Sequence, residues 1–368
     1  MKRYLRKPVL EDLEQKMVFI GGPRQVGKTT LSLDLVKKYR YLNWDVSKDR
    51  ELIIQEHFPI DKFIIFDEIH KFKNWRNYIK GFYDKYKKEK KILVTGSARL
   101  DYYRHSGDSL QGRYHYYRLH PFTVKELGIS SKKEMKDLLT LGGFPEPFLS
   151  GSLRSSLRWQ KAYRTRVIYE DISDLELSQN LSKMNLLLLR LPDLVGSPLS
   201  INALREDLSL AHKTVANYLD IFERNYLIYR LPPFHSKKFK SIKKEQKHYH
   251  YNWAEVKEEG FRFENLIAGH LLKWVHFKQD YEGEKKELCY FRDIEKREID
   301  FIVTENDIPI QAIECKIKTN QISPHLKYFK AKFPKVECIQ VHLELGEEYL
   351  SKEGIKSLNW NTFLNTLI

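Results

Sequence analysis

The segment Gly22-Pro23-Arg24-Gln25-Val26-Gly27-Lys28-Thr29 follows an apolar run, Met17 to Gly21, and opens a stretch with helical spacing, Thr29 to Tyr39. It matches GxxxxGK[S/T] in the strand–loop–helix setting that gives the pattern its meaning. Glycines let backbone N–H groups curve around phosphate oxygens, and the helix start adds positive potential. Lys28 is expected to reach the outer phosphates and the Thr29 hydroxyl to ligate magnesium, with Thr30 beside it in the same turn. Gly22 through Thr30 are therefore the expected contacts of ATP.

A loop of this kind needs an acidic partner. Phe63-Ile64-Ile65-Phe66 ends in Asp67-Glu68, and four consecutive apolar residues place the acids at the carboxyl edge of a buried strand. Asp67 is expected to hold magnesium through water and Glu68 to polarise the attacking water. A further strand, Lys91 to Thr95, delivers Thr95-Gly96-Ser97 to the same edge, where a hydroxyl of that turn would sense the γ-phosphate. With Tyr41 to Val46 as another strand and a helix at Trp75 to Lys88, the first third reads as alternating β and α elements around a parallel sheet.

The chain has 368 residues, enough for two or three domains. An apolar content of 42% supplies ordinary cores, and the absence of low-complexity tracts argues against disorder. Lysine and arginine outnumber aspartate and glutamate by 64 to 49, and the formal charge of +15 favours a polyanionic partner, nucleic acid first. No apolar run reaches the roughly 18 residues that span a bilayer, and no secretory leader is apparent. Three cysteines, Cys289, Cys315 and Cys338, lack metal-type spacing and suit buried thiols in a cytoplasmic protein.

Beyond the strand-and-helix third, Phe122 to Tyr169 is helical with a break at Gly142-Gly143-Phe144-Pro145-Glu146-Pro147, as in a helical lid. Ser182 to His235 reads as three short helices and a strand, Tyr226 to Tyr229, the order of a winged helix-turn-helix. Ser200 is expected to cap a helix to Leu208. In the following helix, His212 to Arg224, Val215, Leu219 and Phe222 face inward. That leaves His212, Lys213 and Asn217 outward, where they would meet nucleic acid, or where the module would serve as a protein-docking spacer. The lysines Lys237, Lys238, Lys240, Lys243, Lys244 and Lys247 read as a solvated linker, with His248, Tyr249, His250 and Tyr251 as stacking groups.

Two strands near the C-terminal end carry a charged constellation. Ile299, Phe301 and Val303 alternate with Asp300, and Ile313, Cys315 and Ile317 alternate with Glu314 and Lys316. With a turn near Asn306, Asp300 is expected opposite Ala312 and diagonal to Glu314, so that both carboxylates clasp one cation.

These residues resemble two families. GGPRQVGKTTL, FDEIHKFKNWRNYIKGFYD, TGSA, SLQGR, LHPF and GGFPEP occur in the order seen in a group of bacterial and archaeal AAA+ ATPases whose C-terminal region is a domain of unknown function numbered 4143. The resemblance implies Lys28 and Thr29 as phosphate and metal contacts, Asp67 and Glu68 as the second acidic motif, and Ser97 as sensor. It also implies Arg113 as a finger supplied to a neighbouring copy. From about Gly260 to Val341, Asp300, thirteen residues, then Glu314-Cys315-Lys316 is similar to the PD-(D/E)XK nucleases. That similarity implies Glu264, Asp300 and Glu314 as magnesium ligands and Lys316 as the group orienting or deprotonating water. Ile299 stands where the motif's name puts proline.

The expected architecture is α/β. An ATPase core spans 1–128, a helical lid 129–178, a winged helix-turn-helix 179–235 and a PD-(D/E)XK-like domain 236–368. The expected activity is magnesium-dependent ATP hydrolysis coupled to nucleic-acid binding and metal-dependent DNA cleavage. The alternative is a non-cutting ATP-dependent switch or scaffold that docks DNA or a protein partner; a homo-oligomer is a separate expectation. A small-molecule kinase is disfavoured by the Asp67-Glu68 pair.

Overall fold

A computed structural model describes residues 2–56, 61–96, 110–172, 180–235, 245–318 and 321–368. The chain divides into two compact units. The first comprises Met1–Pro121 with the short pieces Arg224–Tyr226 and Asp280–Glu282, and the second comprises Phe122–Glu223, Leu227–Gln279 and Gly283–Ile368. No helix among the described residues is long and apolar enough to cross a membrane.

Unit one is a five-stranded sheet of β1 (Met17–Gly21), β2 (Arg40–Asn43), β3 (Phe63–Asp67), β4 (Lys91–Thr95) and β5 (Tyr114–Arg118), in the order β2-β3-β4-β1-β5. Every pairing is parallel. β1 and β3 are buried along their whole length, as expected of inner strands covered by helices on both faces. On one face Phe19, Phe66, Trp75, Ile79 and Phe82 interlock, with the helix Trp75–Tyr86 supplying its apolar stripe. Two expected boundaries shorten: the helix after the loop runs Lys28–Asp34, and the second strand ends at Asn43, where Asp45 N–H returns to the Asn43 side chain in a turn.

Unit two begins with the helices Val124–Leu127, Lys132–Leu141, Pro145–Ser150 and Leu153–Arg166. Ser131 and Glu134 form a reciprocal capping box at the second. The expected break falls at Gly142 to Phe144 only, because Pro145 occupies the first turn of the next helix, where a missing N–H costs nothing. The helices Leu181–Arg190, Ile201–Leu208 and His212–Arg224 follow, and the Ser200 hydroxyl accepts from Ala203 N–H as a cap. Val215, Leu219 and Phe222 are buried as expected.

The strand after them is Ile228–Leu231, designated β6, two residues later than its expected start. It pairs antiparallel with β7, Lys247–His250. All four residues of β7 are buried, and Tyr251 beyond them is too. Two expectations are corrected here. Lys247 is not part of a solvated linker, and His248, Tyr249, His250 and Tyr251 are not open stacking groups. Hydrogen-bonding to β6 draws them into the core, where the Asn265 side chain also bonds both backbone groups of His250. Lys237, Lys238, Lys240, Lys243 and Lys244 lie outside the described residues.

The helix Glu259–Asp280 then packs beside a six-stranded mixed sheet. Its strands are β8 (Lys286–Arg292), β9 (Glu298–Glu305), β10 (Ile308–Lys316), β11 (Glu337–His342), β12 (Tyr349–Leu350) and β13 (Ile355–Asn359), in the order β12-β13-β11-β10-β9-β8. Cys289 and Cys338 are buried and Cys315 is intermediate.

Candidate functional site

The loop at the end of β1 is shaped by left-handed backbone: Gln25 has φ 59° and Gly27 φ 97°, a conformation suited to wrapping an anion. Gly22 has φ 150°, and a Cβ there would sit 2.4 Å from the Leu119 carbonyl oxygen. Gly22→Ala is therefore expected to displace the loop and weaken ATP binding at least ~10-fold. Gly81→Ala, at a position with open space around it, is the control. Titration with a fluorescent ATP analogue checks both. Val26 is buried and anchors the loop's outer turn, while Pro23 is buried, Arg24 half-buried and Thr30 exposed.

Lys28 is buried, its ammonium donating to the carbonyls of Gly22 and Pro23 at 2.9 and 2.8 Å. The Thr29 hydroxyl donates to Asp67 Oδ2 at 3.0 Å. Strand order makes this pairing less direct than expected, since β4 lies between the loop strand β1 and the acidic strand β3. β4 contributes in its own right: the Thr95 hydroxyl donates to Asp67 Oδ1 at 2.6 Å. Tyr41 OH donates to Oδ2, also at 2.6 Å, and burial together with that carboxylate pushes its phenol well above the ordinary range. Asp67 is thus held by three hydroxyls. A hydroxyl and a carboxylate are the hard oxygen donors magnesium prefers, so Thr29 and Asp67 fit the ion that ATP brings.

Glu68 follows in a left-handed conformation, φ 55°, with its N–H donating to the Thr95 carbonyl. Its side chain is 17% exposed and lies 3.5 Å from His70 Nε2. His70 is a residue the motifs did not flag. Burial pushes it below the ordinary histidine range despite the neighbouring carboxylate, so its ring is neutral beside Glu68. Ser97, the expected sensor, lies outside the described residues. Arg113 opens β5 region contacts inside its own chain, holding both Asp84 oxygens at 3.0 and 3.1 Å.

In unit two the hairpin register departs from expectation. Asn306 and Asp307 both have positive φ and make a two-residue turn. A bulge between Pro309 and Gln311 then shifts the pairing, so that Ala312 faces Ile302 and Ile313 faces Phe301. Proline lacks the N–H the ladder needs, which is the physical reason for a bulge at that point. The turn and the bulge together, one residue each, bring Asp300 level with Glu314 rather than Ala312. Asp300 Oδ2 accepts the Cys315 N–H at 2.8 Å, and the helix Glu259–Asp280 brings Glu264 to the same place.

Glu264, Asp300, Glu314 and Lys316 therefore do gather as expected. The unexpected member is Lys247. Its side chain is fully buried, with Nζ 2.7 Å from Glu298, 3.4 Å from Glu264 and 3.6 Å from Asp300. Burial alone would strip its proton, but Glu264, Asp300 and Glu298 outweigh that and hold it above the ordinary lysine range. Tyr249 OH donates to Glu264 at 2.7 Å, and Lys316 to Glu314 at 2.8 Å. Burial and the neighbouring Asp300 push Glu264 up to about 7 and Glu314 up to about 8. Among the described residues no trio of His, Cys, Asp or Glu is arranged to hold a metal ion. With an ammonium already among the carboxylates, this cluster does not fit magnesium.

On the helix His212–Arg224, His212 and Lys213 are exposed and Asn217 is half-buried.

Three family models tile these elements: an AAA domain over residues 14–128, domain of unknown function DUF8612 over 132–254 and DUF4143 over 259–363. The chain carries an N-terminal AAA domain and a C-terminal DUF4143 domain. The intervening DUF8612 takes in the helices expected as the lid, those expected as the winged helix-turn-helix, and the β6–β7 pair. Uncharacterized protein Mb2031c of Mycobacterium bovis and uncharacterized protein Rv2008c of Mycobacterium tuberculosis are each 26% identical over 236 residues, 63% of this chain. The alignment spans 52% of the length of each relative. A Signal Transduction ATPase with Numerous Domains from Pyrococcus horikoshii, carrying a tetratricopeptide repeat sensor, aligns at 13% identity over 75% of this chain and 47% of its own, with a TM-score of 0.25.

Proposed function

We propose that this AAA–DUF4143 protein is a magnesium-dependent ATP hydrolase that works as a nucleotide-driven switch, and that its second unit docks a partner without cutting it. The observation that carries the ATPase reading is the meeting of Lys28, Thr29, Asp67 and Thr95 at one end of a parallel sheet. In the reaction, ATP lies along the loop with Lys28 leaving the Gly22 and Pro23 carbonyls for the outer phosphates. Thr29 and Asp67 would hold magnesium, which would supply positive charge against the charge developing on the phosphates. Glu68 orients and polarises water in line with the leaving group. Ser97 and Arg113 remain the proposed sensor and trans-acting finger, and a finger role requires Arg113 to leave Asp84.

Lys28→Ala is expected to lower ATP affinity on the order of 100-fold, the loss of charge-assisted contacts to phosphate. Equilibrium binding of a labelled nucleotide and phosphate release under saturating magnesium test it. Equal turnover by parent and variant would remove the ATPase reading.

The formal charge of +15 makes nucleic acid the first partner to test, with His212, Lys213 and Asn217 as the proposed contacts. The non-cutting reading rests on the ammonium inside the acid cluster. Incubation with plasmid, linear and single-stranded DNA, with magnesium or manganese and with or without ATP, separates the readings. Products that disappear in Glu314→Ala would restore the nuclease, while binding without products fits the switch.

A further inference from the structure

We infer that Lys247 is the resident cation of the DUF4143 acid cluster, supplied from outside that domain by β7 and occupying the charge position that a divalent metal takes in nucleases of similar motif. An ammonium has three N–H donors and no acceptor. Here three carboxylates, those of Glu264, Glu298 and Asp300, lie within 3.6 Å of one Nζ. The ring of Tyr290 adds its face at 5.7 Å to the centroid.

The delivery is built into the fold. Lys247 begins β7, where it pairs with Leu231 of β6 and bridges to Pro198, and the backbone on its other side is tied by Leu199 N–H to the Gln246 carbonyl. These pairings fix the Cα from which the fully buried side chain reaches the carboxylates. The carboxylates are anchored as well: Tyr249 holds Glu264, Arg292 holds Glu298 at 3.0 Å, and the Cys315 N–H holds Asp300.

A divalent ion at this place would need oxygen ligands at roughly 2.0–2.6 Å while a fixed positive charge remained beside it. Repulsion and the loss of ammonium contacts both oppose entry. Lys316, the lysine of the motif, is bonded to Glu314 and is left no metal-bound water to act on. The inference concerns occupancy alone and stands whether or not unit two binds nucleic acid.

Manganese binding to the full chain without nucleotide, read by electron paramagnetic resonance, tests it. The parent and Asp300→Asn are expected to bind manganese alike, any shared weak binding lying elsewhere on the chain. Lys247→Met is expected to gain a site at least ~10-fold tighter, which the double variant Lys247→Met/Asp300→Asn loses. A parent site abolished by Asp300→Asn overturns the inference, as does a folded Lys247→Met that gains none. Where Lys247→Met does not fold by circular dichroism, the comparison of parent with Asp300→Asn decides alone.

Discussion

Glu68→Gln is expected to slow phosphate release by roughly 10²–10⁴-fold while leaving ATP affinity within about a factor of 2, the range for removing a positioned general base. The separation follows from geometry. Lys28 and Thr29, which are proposed to meet the phosphates and magnesium, are held by Gly22, Pro23 and Asp67. The amide keeps the carboxylate's size beside neutral His70, so the left-handed turn at Glu68 has no reason to move. Single-turnover hydrolysis alongside equilibrium nucleotide binding provides both numbers. A variant that loses affinity and turnover together would assign Glu68 to binding.

Glu126→Ala is expected to destabilise unit two by about 3–5 kcal/mol, the range for stranding one member of a buried ion pair. Lys273 is fully buried within the helix Glu259–Asp280, and its ammonium donates to Glu126 at 2.8 Å and to the Thr123 hydroxyl at 2.7 Å. Glu126 is itself 4% exposed at the side chain, so solvent cannot replace the lost charge. The paired change Glu126→Leu with Lys273→Met should recover most of the loss, because a burial that costs two desolvations is replaced by apolar contact. Urea denaturation of the parent, both single variants and the double variant closes the cycle. Additive losses would mean the two groups do not interact.

Much of this architecture was readable from residue order. Buried parallel strands announce themselves as unbroken apolar runs, so β1, β3 and β4 stood out, as did the loop glycines and the acid pair closing β3. The helix His212–Arg224 was equally legible, because its apolar residues keep one spacing throughout. What escaped has definite causes. The two-residue turn and the bulge at Pro309 each move the register by one residue, carrying Asp300 from the level of Ala312 to that of Glu314, and such hairpin geometry is not specified by alternation alone. Lys247 closes a series of lysines, and nothing in a charge run distinguishes the one member that meets Glu264, Glu298 and Asp300 from distant parts of the chain. Tyr41 lies in no motif and His70, although inside the FDEIH run, has no role assigned by it; only the packing around Asp67 and Glu68 gives them neighbours to act upon.

The placement of Thr123 to Leu127 bears on how the protein can be taken apart. Val124 N–H donates to His270 Nε2, the Lys125 ammonium to the Leu367 carbonyl, and Glu126 holds Lys273. A truncation that follows the AAA family boundary at residue 128 would carry this single turn away with the parallel sheet and remove the groups that meet His270, Lys273 and the Leu367 carbonyl. Dissection at Pro121 keeps that clasp whole within the C-terminal fragment.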